Sequence, residues 1–492
     1  MVYLRRCVTM PDCFEVLHKD LAGRIGRLVT PHGALETPAL MPVINPHLQV
    51  IKPAELKEMG ASILITNSYI ISQDELLKRR ALELGLHDLL GFNGPIMTDS
   101  GAYQLSSYGD LSIDPEDILK FQLEIGSDIC VPLDIPTPPD ATRERALSEL
   151  QETERRLVKA IEERGSSLLA GPIQGSTYPD LREAAGRSLG AMGFDIYPIG
   201  GVVPLMEAYR YRDLASVIVS SKKGLGPGFP VHLFGCGHPA VFALAAALGC
   251  DLFDSAAYAL YARDGRYLTT EGTWRLEDLK HLPCSCEVCR RYSPEELMEQ
   301  KDKVRLLAVH NLNLSFQEIR QIKQHIWEGT LWELLEIRSR SHPKMIDAFR
   351  SLKEHVDWIE RLDRSSKSTL FYMGPESACR PEVLRYASRV ERIALSGNVL
   401  ITDMTKRDSG PEDLGFDHLL IFKPPFGPCP IELLETYPLN AIVPSEPDWA
   451  GVDRAILNTR RLIEANPHAS FKVRLKDLPE AEAMILSEAV RS

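Results

Sequence analysis

Eight short apolar runs punctuate the first half of the chain, at residues 39–44, 63–69, 96–103, 129–134, 168–175, 196–201, 230–235 and 252–256. Each closes on glycine or polar residues, and continuous apolar runs of this length suit strands buried on both faces of a parallel sheet. Between them the apolar positions switch to helical spacing, over 53–61, 72–90, 115–126, 141–164, 179–193, 205–223 and 239–249. Several of these segments open on proline or follow Asp or Ser, and several end on glycine, as helix boundaries should. Eight strands alternating with helices over about 250 residues predict an α/β fold, a (β/α)8 TIM-like barrel. An open doubly wound sheet uses the same alternation, but no G-x-G-x-x-G follows the first strand.

Beyond the barrel, helical spacing covers 315–327, 331–341 and 343–361. A polar stretch, Arg364-Ser365-Ser366-Lys367-Ser368, then reads as a boundary. Strand-like runs at 369–372, 394–395, 399–401 and 419–422 alternate with helical ones, which predicts a smaller α/β module. The expected organisation is a catalytic barrel over 1–282, a zinc-binding helical subdomain over 283–364, and an accessory α/β domain over 365–492.

Composition narrows the class. At 492 residues the chain exceeds what one core usually supports. Its 44% hydrophobic and 25% charged residues exclude a disordered or collagen-like chain. No apolar run approaches the ~18–20 residues that cross a bilayer, and no signal peptide stands out in residues 1–20, where Met10 is an alternative start. A cytoplasmic protein without a membrane partner is expected. The net charge of −12 argues against non-specific nucleic-acid binding, although local basic clusters remain at Arg263/Arg266, Arg290-Arg291 and Lys301/Lys303/Arg305.

A barrel places its chemistry at the C-terminal ends of its strands. Those ends carry Asp99, Asp134, Gln174, Gly200-Gly201, Phe234-Gly235 and Asp254. An Asp at such a point also serves as an N-cap or turn residue, and for Asp134, before Ile135-Pro136-Thr137-Pro138-Pro139, that reading competes directly. Gln174 beside Gly175 can equally close a loop. Asp254 lies between Phe253 and Ser255, where a purely structural carboxylate is expensive.

Three of the ten cysteines, Cys284, Cys286 and Cys289, lie within six residues, and His310 is the next histidine downstream. Three thiolates and an imidazole complete a tetrahedral set for one structural Zn2+ per chain, with no position left for water. His281 competes as fourth ligand but would crowd the chelate ring.

Taken together, Thr98-Asp99-Ser100-Gly101-Ala102-Tyr103-Gln104, Pro172-Ile173-Gln174-Gly175, Ile199-Gly200-Gly201-Val202-Val203-Pro204, Phe253-Asp254-Ser255-Ala256-Ala257-Tyr258 and the Cys284/Cys286/Cys289/His310 set resemble the archaeal, archaeosine-type tRNA-guanine transglycosylases. The resemblance runs in order over roughly residues 12 to 350. It implies exchange of a tRNA guanine, at position 15 of the D-arm, for 7-cyano-7-deazaguanine (preQ0), through a covalent ribosyl-aspartate. It further implies Asp254 as nucleophile and Asp99 as general acid/base. Asp134, Gln174 and the Gly201 backbone would read the purine edge, and Tyr103 and Phe234 would sandwich the base. Phe is frequent in the family where this chain has Tyr103. The apolar Val202-Val203 pair suits a neutral nitrile better than a charged aminomethyl group. A homodimer is what the family implies. Longer members end in a tRNA-binding PUA domain, which is not expected here, so a separate PUA-containing or archaeosine-forming protein is a candidate partner. Pro424-Pro425-Phe426-Gly427-Pro428 resembles a segment of archaeal accessory domains. Three other readings compete: a queuine/preQ1-type enzyme acting at the anticodon, a non-catalytic tRNA-binding subunit, and a zinc hydrolase on the same barrel. The last lacks an open set of metal ligands at the strand ends.

Overall fold

A three-stranded antiparallel meander, which the apolar pattern does not predict, leads into the barrel: β1 (Phe14–Asp20), β2 (Gly23–Thr30) and β3 (Gly33–Thr37). Its first strand hides the signal, because Val16 and Leu17 are both exposed and no clean period of two survives. The computed structural model describes residues 13–102, 114–403 and 415–489.

All eight predicted barrel strands form: β4 (Ala39–Ile44), β5 (Leu64–Asn67), β6 (Ile96–Asp99), β7 (Ile129–Cys130), β8 (Leu168–Leu169), β9 (Tyr197–Ile199), β10 (Val231–Leu233) and β11 (Leu252–Ser255). They pair in parallel in the order β8-β7-β6-β5-β4-β11-β10-β9. Parallel bridges Ala170–Ile196 and Ile173–Ile199 then join the β8 side to β9 and close the ring. The ladders of β7 and β8 are shorter than their apolar runs. Pro132 and Pro172 follow them, and proline has no N–H to continue a ladder.

The barrel core explains where the site must lie. Met41, Ile65, Met97, Ile129, Val131, Ala170, Ile196 and Leu252 form one buried cluster with Phe14, Leu28 and Leu35 of the meander, which therefore covers the N-terminal end of the barrel. Side chains on a strand return to the same face every second residue. Two residues beyond Met97 and Leu252 come Asp99 and Asp254, so both carboxylates follow the core on the inward face, at the uncovered end.

After β11 the chain forms a short hairpin, β12 (Arg266–Leu268) with β13 (Thr273–Arg275), and then the long helix Lys303–Glu328. One compact unit runs to Trp327 and takes in Ile337–Phe349; the other comprises Glu328–Glu336 and the chain from Arg350 onward. The second unit holds a four-stranded sheet in the order β16-β15-β14-β17, built from β14 (Gly397–Thr402), β15 (His418–Lys423), β16 (Gly427–Pro430) and β17 (Ala469–Arg474). Helix Trp449–Ala465 packs its Val452, Ala455, Ile456 and Leu462 onto this sheet. The expected strands at 399–401 and 419–422 are present. The segments at 369–372 and 394–395 are not strands: Phe371 makes a single bridge to Ile442, and the Leu395 N–H goes to the Asn466 side chain. Among the described residues no helix is long and apolar enough to cross a membrane.

Candidate active site

Asp99 and Asp254 close the ladders of β6 and β11, and Asp134 follows β7 on the same rim. Burial first, and then the charges of Asp134 and Asp254, push the Asp99 carboxyl up to about 7. The backbone N–H groups of Gly101 and Ser100 pull the other way. Asp99 thus feels the charges of both other strand-end carboxylates. Asn67, at the end of β5, donates from Nδ2 to Asp99 Oδ2 at 3.2 Å, and its Oδ1 caps the helix Ser68–Gln73 by accepting from the Ile70 N–H.

Asp254 is held differently. Its Oδ1 accepts from the Gly235 N–H at 2.7 Å and from His232 Nε2 at 2.8 Å. The His232 ring is fully buried, and its Nδ1 has no partner among the described residues. With nothing to receive a proton from Nδ1, the ring fits the tautomer that carries hydrogen on Nε2 and donates it to Asp254. Oδ2 of Asp254 has no protein partner among the described residues and the side chain is 13% exposed, so one oxygen is anchored and the other left to react. Gly235 is required for this: its φ is +64°, and a Cβ there would lie 2.3 Å from Val203 Cγ2. The Phe234 ring packs edge-on against His232 with centroids 4.6 Å apart.

Beside these lies a polar pocket. Gln174 Nε2 donates to Asp134 Oδ2 at 2.5 Å, and both side chains are buried. Burial pushes Asp134 up to about 6, although Gln174 and the charges of Arg156 and Arg182 hold it down. A Cβ on Gly200 would lie 2.1 Å from Gln174 Nε2, so only glycine lets this loop pass the pocket. Gln174 Oε1 and Thr137 Oγ1 are buried without partners among the described residues. Arg182, fully buried on the helix Pro179–Met192, fixes the loops by donating to the carbonyls of Ile173, Ser176 and Gly200 at 2.7–2.8 Å. Tyr103 lies outside the described residues.

The sequence reading thus named Asp99, Asp134, Gln174, Gly201, Val203, Phe234 and Asp254, and missed Asn67, His232 and Arg182. For His232 a signal existed: a histidine inside a buried strand run, two residues before Phe234 and so in phase with it. For Arg182 none did, because a lone arginine in an amphipathic helix normally faces water.

Cys284, Cys286, Cys289 and His310 converge, with all ligand atoms within 4.8 Å of one another. His310 Nδ1 faces the thiols, 3.3 Å from Cys289 Sγ and 3.7 Å from Cys286 Sγ. Its Nε2 lies 3.0 Å from the Leu268 carbonyl, a contact that places the proton on Nε2 and leaves the Nδ1 lone pair for a metal. Tyr267 stacks on the imidazole at 3.7 Å. This donor set fits a metal without adjustment of its tautomers. Of the basic clusters, Arg263, Arg290, Arg291, Lys301 and Lys303 are exposed, whereas Arg266 is paired with Asp264 and Arg305 with Glu55.

Known proteins resemble this chain over most of its length. The family described as queuine tRNA-ribosyltransferase matches residues 20–344. A tRNA-guanine(15) transglycosylase of Methanosarcina barkeri is 56% identical over 463 residues, covering 94% of each chain. Its namesake in Haloferax volcanii is 51% identical over 98% of this chain and 94% of the relative, and that of Archaeoglobus fulgidus 48% over 94% and 95%. The chain belongs to the tRNA-guanine transglycosylase family.

Proposed function

We propose that this chain is the enzyme that replaces guanine at position 15 of tRNA with preQ0, in the formation of archaeosine. The observation that carries the reading is a pair of carboxylates in unlike settings at one barrel mouth: Asp254 with one anchored oxygen, and Asp99 held near 7. Asp254 attacks C1′ of the ribose, the C1′–N9 bond breaks, and its electrons leave with the purine, which Asp99 protonates. The entering base then gives its N9 proton to Asp99 and attacks C1′, and the sugar–Asp254 bond breaks to restore the carboxylate. Two inversions give retention.

The base pocket suits both purines. Asp134 can accept from the amino and ring N–H groups of the purine edge, while Gln174 and the Gly201 N–H address O6. Val203 and Phe234 supply the apolar wall. Because the target base lies in folded tRNA, it must leave its stack to enter; the exposed Arg263, Arg290 and Arg291 are the phosphate contacts of this reading. The working form is a homodimer in the cytoplasm. Whole tRNA offered with labelled guanine, preQ0 and preQ1, followed by mapping of the label, tests the function. Incorporation of preQ1 at the anticodon would replace this reading with the queuine-type one.

Two further results are expected. His232→Phe removes a donor to a charged oxygen, worth about 1.5–3 kcal/mol. Since that donor also stabilises Asp254 as it leaves C1′, kcat should fall about 10–100-fold while the covalent adduct persists longer. His232→Gln, which places an N–H at nearly the Nε2 position, should recover part of the rate. A uniformly misfolded site would lower adduct and turnover together.

The Cys3His cluster holds structural zinc in this reading, closing the loop after the barrel onto the helix Lys303–Glu328. Cys286→Ser should cost one bound zinc per chain and lower the melting temperature, read by metal analysis and calorimetry. Full zinc content in the variant would overturn the ligand assignment.

A further inference from the structure

At the covered end of the barrel, opposite the carboxylate mouth, three side chains from separate elements meet. Asp128 immediately precedes β7, His32 occupies the turn between β2 and β3, and His87 lies in the helix Leu86–Leu90. The carboxylate is fully buried and fixed by backbone: Oδ1 accepts from the His32 N–H and Oδ2 from the Ile96 N–H, each at 2.8 Å. The remaining acceptor direction of each oxygen points at an imidazole. His32 Nδ1 lies 2.9 Å from Oδ1 and His87 Nε2 2.9 Å from Oδ2. The two rings stack 3.7 Å apart, at 25°.

We propose that His32, His87 and Asp128 form a second metal site, for a divalent transition ion of zinc or copper type, separate from the Cys3His cluster. Two imidazoles and one carboxylate are the donors such ions select, and all three ligand atoms already fall within 4.8 Å of one another. Ligands ~2.0–2.2 Å from one ion and near a right angle are about 3 Å apart, which is the N···O spacing present before any metal enters. Each imidazole has to pass its proton to the far nitrogen and turn, so that its lone pair meets the ion beside the carboxylate instead of facing an oxygen. His32 Nε2 and His87 Nδ1 have no protein partner among the described residues, so either tautomer is open to both rings. The backbone bonds hold the carboxylate in place as outer-shell groups hold metal ligands elsewhere. The His32 side chain is 46% exposed and gives the ion a way in. Occupied, the site would tie the meander to the first strands of the barrel floor.

The competing account is a latch made by protons alone, with each imidazole donating to Asp128. The experiment that separates them uses the full chain with its thiol site already filled with zinc. Wild type, His32→Gln and His87→Gln are dialysed against dilute Zn2+ and their metal counted, and Cu2+ is added for electron paramagnetic resonance. Glutamine keeps an N–H donor for the latch but supplies no imidazole. The expected result is two zinc ions per wild-type chain and one in either variant, with copper coupled to two imidazole nitrogens in wild type only. Zinc should also raise the melting temperature of wild type and not of the variants. One ion per chain in all three proteins, or copper coupled to no pair of imidazoles, would overturn the site and leave the proton latch. Because Asp128 and its backbone contacts are untouched, both variants should fold, which circular dichroism verifies; an unfolded His87→Gln leaves His32→Gln, on an exposed turn, to decide.

Discussion

Asp254→Ala is expected to reduce base exchange by ~10⁴-fold or more, a loss of at least about 5.5 kcal/mol of transition-state stabilisation. It should also remove the covalent tRNA adduct from denaturing gels. The size follows from what the residue replaces. In the proposed mechanism, without a carboxylate at C1′ the departing guanine leaves an oxocarbenium ion that no described neighbour would trap, since Asp99 would be reserved for the proton and Asp134 is tied to Gln174. Folding should survive. The substitution removes an acceptor from the His232 ring and the Gly235 N–H, a cost of about 1–3 kcal/mol. It also removes one of the two charges that repel Asp99, which offsets part of that cost. Asp254→Asn separates charge from shape, because it keeps an oxygen for both donors yet should be nearly as inactive. An adduct that persists in either variant would move the nucleophile to another residue.

The barrel and the strand-end carboxylates were legible because a single periodicity governs both. Once β6 and β11 are placed by their apolar runs, Asp99 and Asp254 must follow on the inward face. The Cys3His cluster was legible for a different reason, since C-x-C-x2-C is a local pattern that packing does not have to complete. What escaped is what depends on distant partners. His232 acts through a carboxylate 22 residues away, and Arg182 through carbonyls on two loops, Ile173 and Ser176 after β8 and Gly200 after β9. The stretch 364–368 shows the converse. It reads as exposed and polar, yet Lys367 is buried, paired with Asp363 and Glu382, and Glu382 with the buried Arg380. Composition does not distinguish a solvated charge from one neutralised inside a network. The Pro424–Pro428 run likewise has a packing role that its sequence conceals: it forms the turn from β15 into β16, with Phe426 fully buried. The meander was missed because its apolar residues divide between the barrel floor and solvent.

Asp99→Asn provides a test in which activity and stability should move in opposite directions. Exchange should drop about 10³-fold, in the middle of the range for loss of a general acid/base. In the proposed exchange both half-reactions need this group, protonated to release guanine and ionised to accept the proton of the entering base. A carboxyl near 7 populates both forms at neutral pH. The wild-type rate should therefore peak close to pH 7 and decline on both sides, and the residual rate of the variant should lack that dependence. Stability follows from the same shift. The folded-state pKa is raised above the unfolded value of about 4, so the contribution of Asp99 is complete below pH ~4 and is lost progressively as pH rises to about 7. Above pH 7 the wild-type protein holds an ionised carboxylate in a partly buried site beside two others. Each pKa unit corresponds to about 1.4 kcal/mol, and allowing for partial solvent access the penalty is ~2 kcal/mol. Asparagine carries no charge and avoids it. Denaturation at pH 8 should find Asp99→Asn more stable than wild type by roughly that amount, and the difference should shrink as pH falls towards 4. An inactive variant that is no more stable at pH 8 would mean that Asp99 is not held near 7, and the assignment of the shared proton to this residue would fail with it.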